Sequence, residues 1–83
     1  MFKTYKLGIV IPAFNEEKLI ADTLKGMPAD ADGIYVVDDA STDATRKIAE
    51  SFPDRRITVL SNGHNQGVGA AIVTGYKKAL EDN

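Results

Sequence analysis

The chain has no cysteine. That excludes disulfides and any thiolate-bound metal, and it fits a reducing compartment. It has no excess of basic residues either. Ten lysines and arginines stand against twelve aspartates and glutamates, a formal net charge of -2, so the electrostatic footprint of a nucleic-acid binder is missing. No apolar run approaches the ~18 residues that span a bilayer. Met1 to Lys6 are too polar for a secretion signal, so a cytoplasmic setting is the default expectation. With 83 residues the chain has room for one small domain and not two. A domain of that size buries only about 60–65 % of the surface its unfolded chain exposes, so the core is marginal. Yet 43 % hydrophobic and 27 % charged residues describe an ordinary globular chain rather than a disordered one.

What is present is a threefold alternation. An apolar run from Leu7 to Ile11 reads as a strand that Pro12 ends, because proline cannot donate to a ladder. A helix then fits Glu16 to Lys25, with Asn15 as its cap, Glu16 and Glu17 at its positive end, and Ile20, Leu24 and Met27 at helical spacing. The second strand is Ile34 to Val37, and a helix starting near Thr42 carries Ala44, Ile48 and Phe52 on one face until Pro53 closes it. The third strand is Ile57 to Leu60. The last helix runs from Val68 to Glu81, with Ile72, Tyr76 and Leu80 as its apolar stripe. Strands apolar on both faces, alternating with amphipathic helices, predict a parallel sheet covered on both sides. The expected fold is α/β: a three-layer βαβαβα half of a doubly wound, Rossmann-like sheet. Its three strand-to-helix loops then share one edge, where open α/β sheets bind ligands.

The loops carry the chemistry. Pro12-Ala13-Phe14-Asn15-Glu16-Glu17 contains no glycine, so it cannot bring the backbone against a pyrophosphate as a G-x-G-x-x-G turn does. It offers an aromatic face and polar tips, which suit the flat base of a nucleotide. Asn15 and Glu16 equally suit helix capping. Asp38 and Asp39 follow the second strand directly, where a carboxylate can accept from a ribose hydroxyl or a base N–H. Such an acid can instead bind loop amides or cap a helix, although Ser41, Thr42 and Asp43 are already there as caps. Gly67 and Gly69 open the last helix. They either let the backbone cradle a phosphate or let the helix lie close on the sheet. His64, the only histidine, reads as a solvated loop residue. The stretch Val36-Val37-Asp38-Asp39 also resembles the acid pocket of phosphoacceptor receiver domains. Those need a further acid after the third strand, and this chain has Ser61 and Asn62 there.

Three segments taken together resemble family 2 glycosyltransferases of the GT-A fold. They are Ile9-Val10-Ile11-Pro12-Ala13-Phe14-Asn15-Glu16-Glu17, Val36-Val37-Asp38-Asp39-Ala40-Ser41-Thr42-Asp43-Ala44-Thr45, and Asn65-Gln66-Gly67-Val68-Gly69-Ala70-Ala71-Ile72-Val73-Thr74-Gly75-Tyr76. Their order and spacing are specific where each alone is not. The branch they most resemble is that of the dolichol-phosphate and polyprenyl-phosphate sugar synthases. The resemblance implies that residues 1–83 are the nucleotide-sugar-binding N-terminal part of a GT-A domain. It implies that Pro12, Ala13, Phe14 and Glu16 line a base and ribose pocket. Asp39 then accepts from the base with Asp38 in support, and Gly67 and Gly69 open the helix beneath the nucleotide. It further implies a UDP- or GDP-linked hexose as donor and a polyprenyl or dolichyl phosphate as acceptor, at the cytoplasmic membrane face in the full enzyme. In this family a fourth strand ends in an Asp-x-Asp motif that holds Mg²⁺ or Mn²⁺ against the diphosphate. The 83 residues stop before that strand. The expectation is therefore no metal ligand and no catalytic residue in this chain, and no transfer by it alone. The other reading is a non-catalytic nucleotide-binding or excised folding module. An open sheet edge also leads one to expect a homodimer.

Overall fold

A computed structural model describes residues 6–82; Met1 to Tyr5 and Asn83 of the expected domain lie outside the described residues. The elements follow in the order β1 (Gly8–Ala13), α1 (Ile20–Lys25), β2 (Gly33–Asp38), α2 (Thr45–Ser51), β3 (Ile57–Ser61) and α3 (Val68–Glu81). The strands form one parallel sheet with β2 in the middle. Gly8 lies opposite Gly33 and Ala13 opposite Asp38, while Ile34 lies opposite Ile57 and Asp38 opposite Ser61. This is the expected βαβαβα half-sheet.

Alternation along the strands sends neighbouring side chains to opposite faces. On one face Ala13, Ile34 and Val36 form a core with Ile20 and Leu24 of α1 and Ala49 of α2, flanked by Ile48, Phe52 and Val59. Full burial of a valine, leucine or isoleucine stabilises by about 1.5–3 kcal/mol, so this face anchors the fold. On the other face α3 lies directly on β1 and β2. A Cβ built on Gly75 would sit 2.4 Å from Val10 Cγ1 and 3.2 Å from Val37 Cγ2.

That approach overturns the expected orientation of α3. Ile72, Tyr76 and Leu80 do not face the sheet; they are 47 %, 60 % and 55 % exposed. Ala71 and Gly75 are the buried positions. The helix axis is too near the strands to admit a large side chain, so the small residues turn inward and the large ones outward.

Three smaller expectations also change. Pro12 lies inside β1 rather than after it. The Gly33 and Asp39 amides donate to the Leu7 and Ala13 carbonyls, so the odd-numbered residues of β1 bond to β2 and Pro12 faces the free side. There its missing N–H costs no ladder bond. Asn15 does not cap α1, which lacks a side-chain cap. The Glu16 and Glu17 amides donate to Thr45 Oγ1 (2.7 Å) and Asp43 Oδ2 (3.3 Å), which draws the first turn toward α2, so that regular helix begins only at Ile20. Helix α2 starts at Thr45 rather than Thr42, because the Asp43 carboxylate accepts from the Thr45 amide (2.9 Å) and holds Thr42 to Ala44 in a turn.

Candidate functional site

The loops after β1, β2 and β3 meet at the carboxyl ends of the strands, tied together by side-chain and backbone hydrogen bonds. Asn15 Oδ1 accepts from the Thr42 amide (2.9 Å), and the Asn15 amide donates to Ser41 Oγ (2.9 Å). The Asp39 amide donates to the Ala13 carbonyl (2.9 Å). The Asp39 carboxylate then spans to the third loop. Oδ1 accepts from Asn62 Nδ2 and the Gln66 amide (2.9 Å each), and Oδ2 accepts from the Gly67 amide (2.9 Å). Asn62 is held in turn through its own amide, which donates to the Asp38 carbonyl (2.9 Å). Among the described residues every positive φ lies on this rim, one in each loop: Asn15 at 52°, Ala40 at 62° and Gly67 at 91°. Asn and Gly tolerate that region; Ala40 occupies it against a steric cost, held by its neighbours in the network.

Phe14, Asp39 and Gly67 therefore share one rim, and each candidate residue has a defined place on it. Phe14 is 44 % exposed beside Asn15. Ala13 is buried, and its carbonyl is taken by Asp39. Pro12 and Glu16 are half-buried. Asp39 is buried, and its carboxyl lies below the usual carboxylate range. The Asn62 amide group and then the Gln66 amide hold it down, against burial, with Gly67 adding to the effect. Three donors leave about one of a carboxylate's four acceptor positions open. Asp38 is also buried, and its Oδ1 has no hydrogen-bond partner among the described residues. It lines a cleft with Ser41, Asp43, Arg46, Ser61 and Asn62. Gly67 and Gly69 are exposed, and a Cβ on either would meet nothing within 4 Å. Close packing therefore does not explain them; it belongs to Gly75. Nor are the Gln66 and Gly67 amides free for a phosphate, because Asp39 occupies them. His64 is exposed on the same loop.

Residues 8–82 match the family model described as glycosyl transferase family 2. The chain belongs to glycosyl transferase family 2. Its relatives include an uncharacterized protein of Methanocaldococcus jannaschii, 44 % identical over 76 residues, which are 90 % of this chain and 30 % of that one. A UDP-N-acetylglucosamine–dolichyl-phosphate N-acetylglucosaminyltransferase of Methanococcus voltae is 33 % identical over 88 residues, with 88 % of this chain and 35 % of the relative covered. Among solved structures, a mannosyltransferase from Pyrobaculum calidifontis in complex with GDP-Man and Mn²⁺ is similar at a TM-score of 0.71 and 31 % identity. The match covers 90 % of this chain and 25 % of that one. The chain thus spans about a third of the length of these curated relatives and a quarter of the structural neighbour.

The fold of this family 2 chain is the N-terminal, Rossmann-like part of a GT-A domain, as the structural match and the sheet agree. The described residues do not fit the divalent metal that the structural neighbour carries. No three His, Cys, Asp or Glu side chains among them converge as a metal would need. Of the adjacent pair, Asp39 is committed to loop amides and Asp38 is buried on the α2 side of the sheet. The reading of isolated residues missed Asn62, Thr45 and Gly75. Thr45, fully buried, accepts from the Glu16 amide and donates to Asp43 Oδ1. A glycine inside a helix is a readable sign of close approach; nothing in the sequence marks Asn62 as the partner of Asp39.

Proposed function

We propose that this chain supplies the nucleotide-binding part of a glycosyltransferase that moves a hexose from a UDP- or GDP-sugar to a polyprenyl or dolichyl phosphate. One observation carries the reading. The three loops are locked into a single rim around Asp39, leaving Phe14 exposed on one side and uncrowded space above Gly67 and Gly69 on the other. The aromatic face suits the base, and the remaining acceptor position of Asp39 suits a base N–H. The unpartnered Asp38 Oδ1 suits a ligand hydroxyl reaching into the cleft beside it. Pro12, Ala13 and Glu16 shape the floor and hold the loop. The acceptor named for the Methanococcus relative and the donor named for the Pyrobaculum structure support a lipid phosphate and a nucleotide sugar as partners.

Leaving-group departure needs a cation against the diphosphate, and Mg²⁺ or Mn²⁺ belongs to the longer protein in this reading. These 83 residues then bind nucleotide without transferring sugar. No described helix is long and apolar enough to cross a membrane; the cytoplasmic face of a membrane remains the proposed place of the lipid acceptor. A second copy of the chain is the further partner that the open sheet edge suits.

Titration of the chain with UDP and GDP, with and without Mg²⁺, tests the proposal. Weak binding that ignores the metal and is lost in Asp39→Ala is expected. No response to millimolar nucleotide sinks the site, and metal-dependent sugar transfer by the 83 residues overturns their assignment as a binding part only. Binding that survives Asp39→Ala favours a folding module with an adventitious nucleotide site.

A further inference from the structure

We propose that Asn62-Gly63 is a self-modification site: Asn62 converts to aspartate or isoaspartate by attack of the Gly63 amide nitrogen, and the new negative charge unlatches the third loop from Asp39. Three asparagines lie among the described residues, Asn15, Asn62 and Asn65. The reaction needs the amide nitrogen of the following residue, and the rim treats the three differently. The Glu16 amide after Asn15 donates to Thr45 Oγ1 (2.7 Å), and the Gln66 amide after Asn65 donates to Asp39 Oδ1 (2.9 Å). The Gly63 amide donates to no described residue. Asn62 is half-buried and Gly63 exposed, and both line the cleft beside Asp38, where water has access. Nothing else in the fold asks for glycine at position 63. A Cβ there would meet nothing within 4 Å, and its φ is not among the positive ones. What the missing side chain does leave is an approachable nitrogen on a pliant backbone.

The chemistry balances with water alone. The Gly63 nitrogen, its proton lost to hydroxide, attacks Asn62 Cγ. A new C–N bond forms, the bond from Cγ to Nδ2 breaks, and Nδ2 leaves as ammonia. Water then opens the succinimide ring at either of its carbonyls. Opening at the side-chain carbonyl gives aspartate. Opening at the main-chain carbonyl gives isoaspartate, which lengthens the backbone by one carbon. Either way the amide donor at position 62 is lost and a carboxylate takes its place.

That change falls on the latch itself. Asn62 Nδ2 donates to Asp39 Oδ1 at 2.9 Å, and the same carboxylate holds the Gln66 and Gly67 amides. Conversion sets acceptor against acceptor and like charge against like charge. Two carboxylates that close cannot both stay ionised without cost. Asp39 therefore takes up a proton or turns away, and in both cases its hold on Gln66 and Gly67 weakens. Asn62 is also the first cause of the lowered Asp39 pKa, so its loss removes the group that does most to keep Asp39 charged. The site is a one-way release for the third loop. It depends on the latch and not on the nucleotide reading.

Incubation of the chain from neutral to mildly alkaline pH tests it, with fragment mass spectra to locate each converted asparagine and amide exchange to follow the loop. Asn62 should convert faster than Asn15 and Asn65, and faster as pH rises. Gly63→Ala, for which the fold has room, should slow the conversion about tenfold or more, because a Cβ stiffens the backbone at the attacking nitrogen. In the converted chain and in Asn62→Asp the Gln66 and Gly67 amides should exchange faster. Asn62→Ala removes the donor without adding charge and should free them less. If Asn62→Asp does not fold, the converted unsubstituted chain supplies the same measurement. Conversion at Asn62 no faster than at the other two asparagines overturns the proposal. So does a rate indifferent to Gly63→Ala, or a converted chain whose Gln66 and Gly67 amides exchange as before.

Discussion

The two faces of the sheet are closed by opposite means. Toward α1 and α2, large side chains fill the space: Ile20, Leu24, Ile34 and Val36 are all buried. Toward α3, the space is removed by bringing the helix onto the strands at Ala71 and Gly75, and the large side chains are left outside. Volume stabilises the first face and contact distance the second. The two should therefore fail under opposite substitutions.

The largest expected effect is on the filled face. Ile34→Ala should cost about 2–5 kcal/mol, from lost transfer energy plus the cavity left behind, read from urea unfolding. An equal cost for Tyr76→Ala would erase the contrast between faces. On the close-packed face Gly75→Ala should cost about 1–3 kcal/mol, because its Cβ must displace Val10 Cγ1. A neutral result there would mean that α3 can lift from the sheet without loss. At the rim, Thr45→Val should cost about 1–3 kcal/mol, since it keeps the shape but leaves the Glu16 amide without its acceptor. Tyr76→Lys should be the mildest, within about 0.5 kcal/mol in the monomer, because the side chain is mostly in water.

Acid sharpens a second contrast, between the two ends of the strands. Asp39 has a lowered pKa from Asn62 and the loop amides. Its unfolded form takes up a proton first, so its stabilising effect is present above about pH 4 and is lost as pH falls through the lower folded value. Asp39→Asn should flatten that acid limb in pH-dependent melting. At the opposite end Tyr35 has a raised pKa, chiefly from burial and then from Asp82, to which its hydroxyl donates (2.9 Å). Its contribution is present below about pH 10 and lost above it. Tyr35→Phe should remove alkaline sensitivity and leave the acid limb unchanged.

Much of this architecture was legible in the chain. Apolar runs at Leu7, Ile34 and Ile57, with acids, prolines and glycines between them, specify three buried parallel strands and their helices, because strands covered on both faces need continuous hydrophobicity. Helix α3 was found with its bounds correct and its face wrong. Ile72, Tyr76 and Leu80 have the period of a buried stripe. Periodicity reports that a helix has an apolar side, but not whether that side or the small-residue side reaches the sheet. Pro12 was misjudged for a related reason: the direction of its missing N–H depends on which neighbour the strand acquires.

The sequence by itself determined the strand–helix alternation, the family, and which loops hold polar and aromatic residues, since these follow from local pattern and composition. Only the tertiary structure decided that Asp39 holds the third loop through Asn62, Gln66 and Gly67, that Gly75 sets the height of α3, and that the large side chains of α3 turn away from the strands. Each of these depends on distances between residues far apart in the chain. Such distances are fixed when the sheet assembles and its loops compete for the same few donors and acceptors.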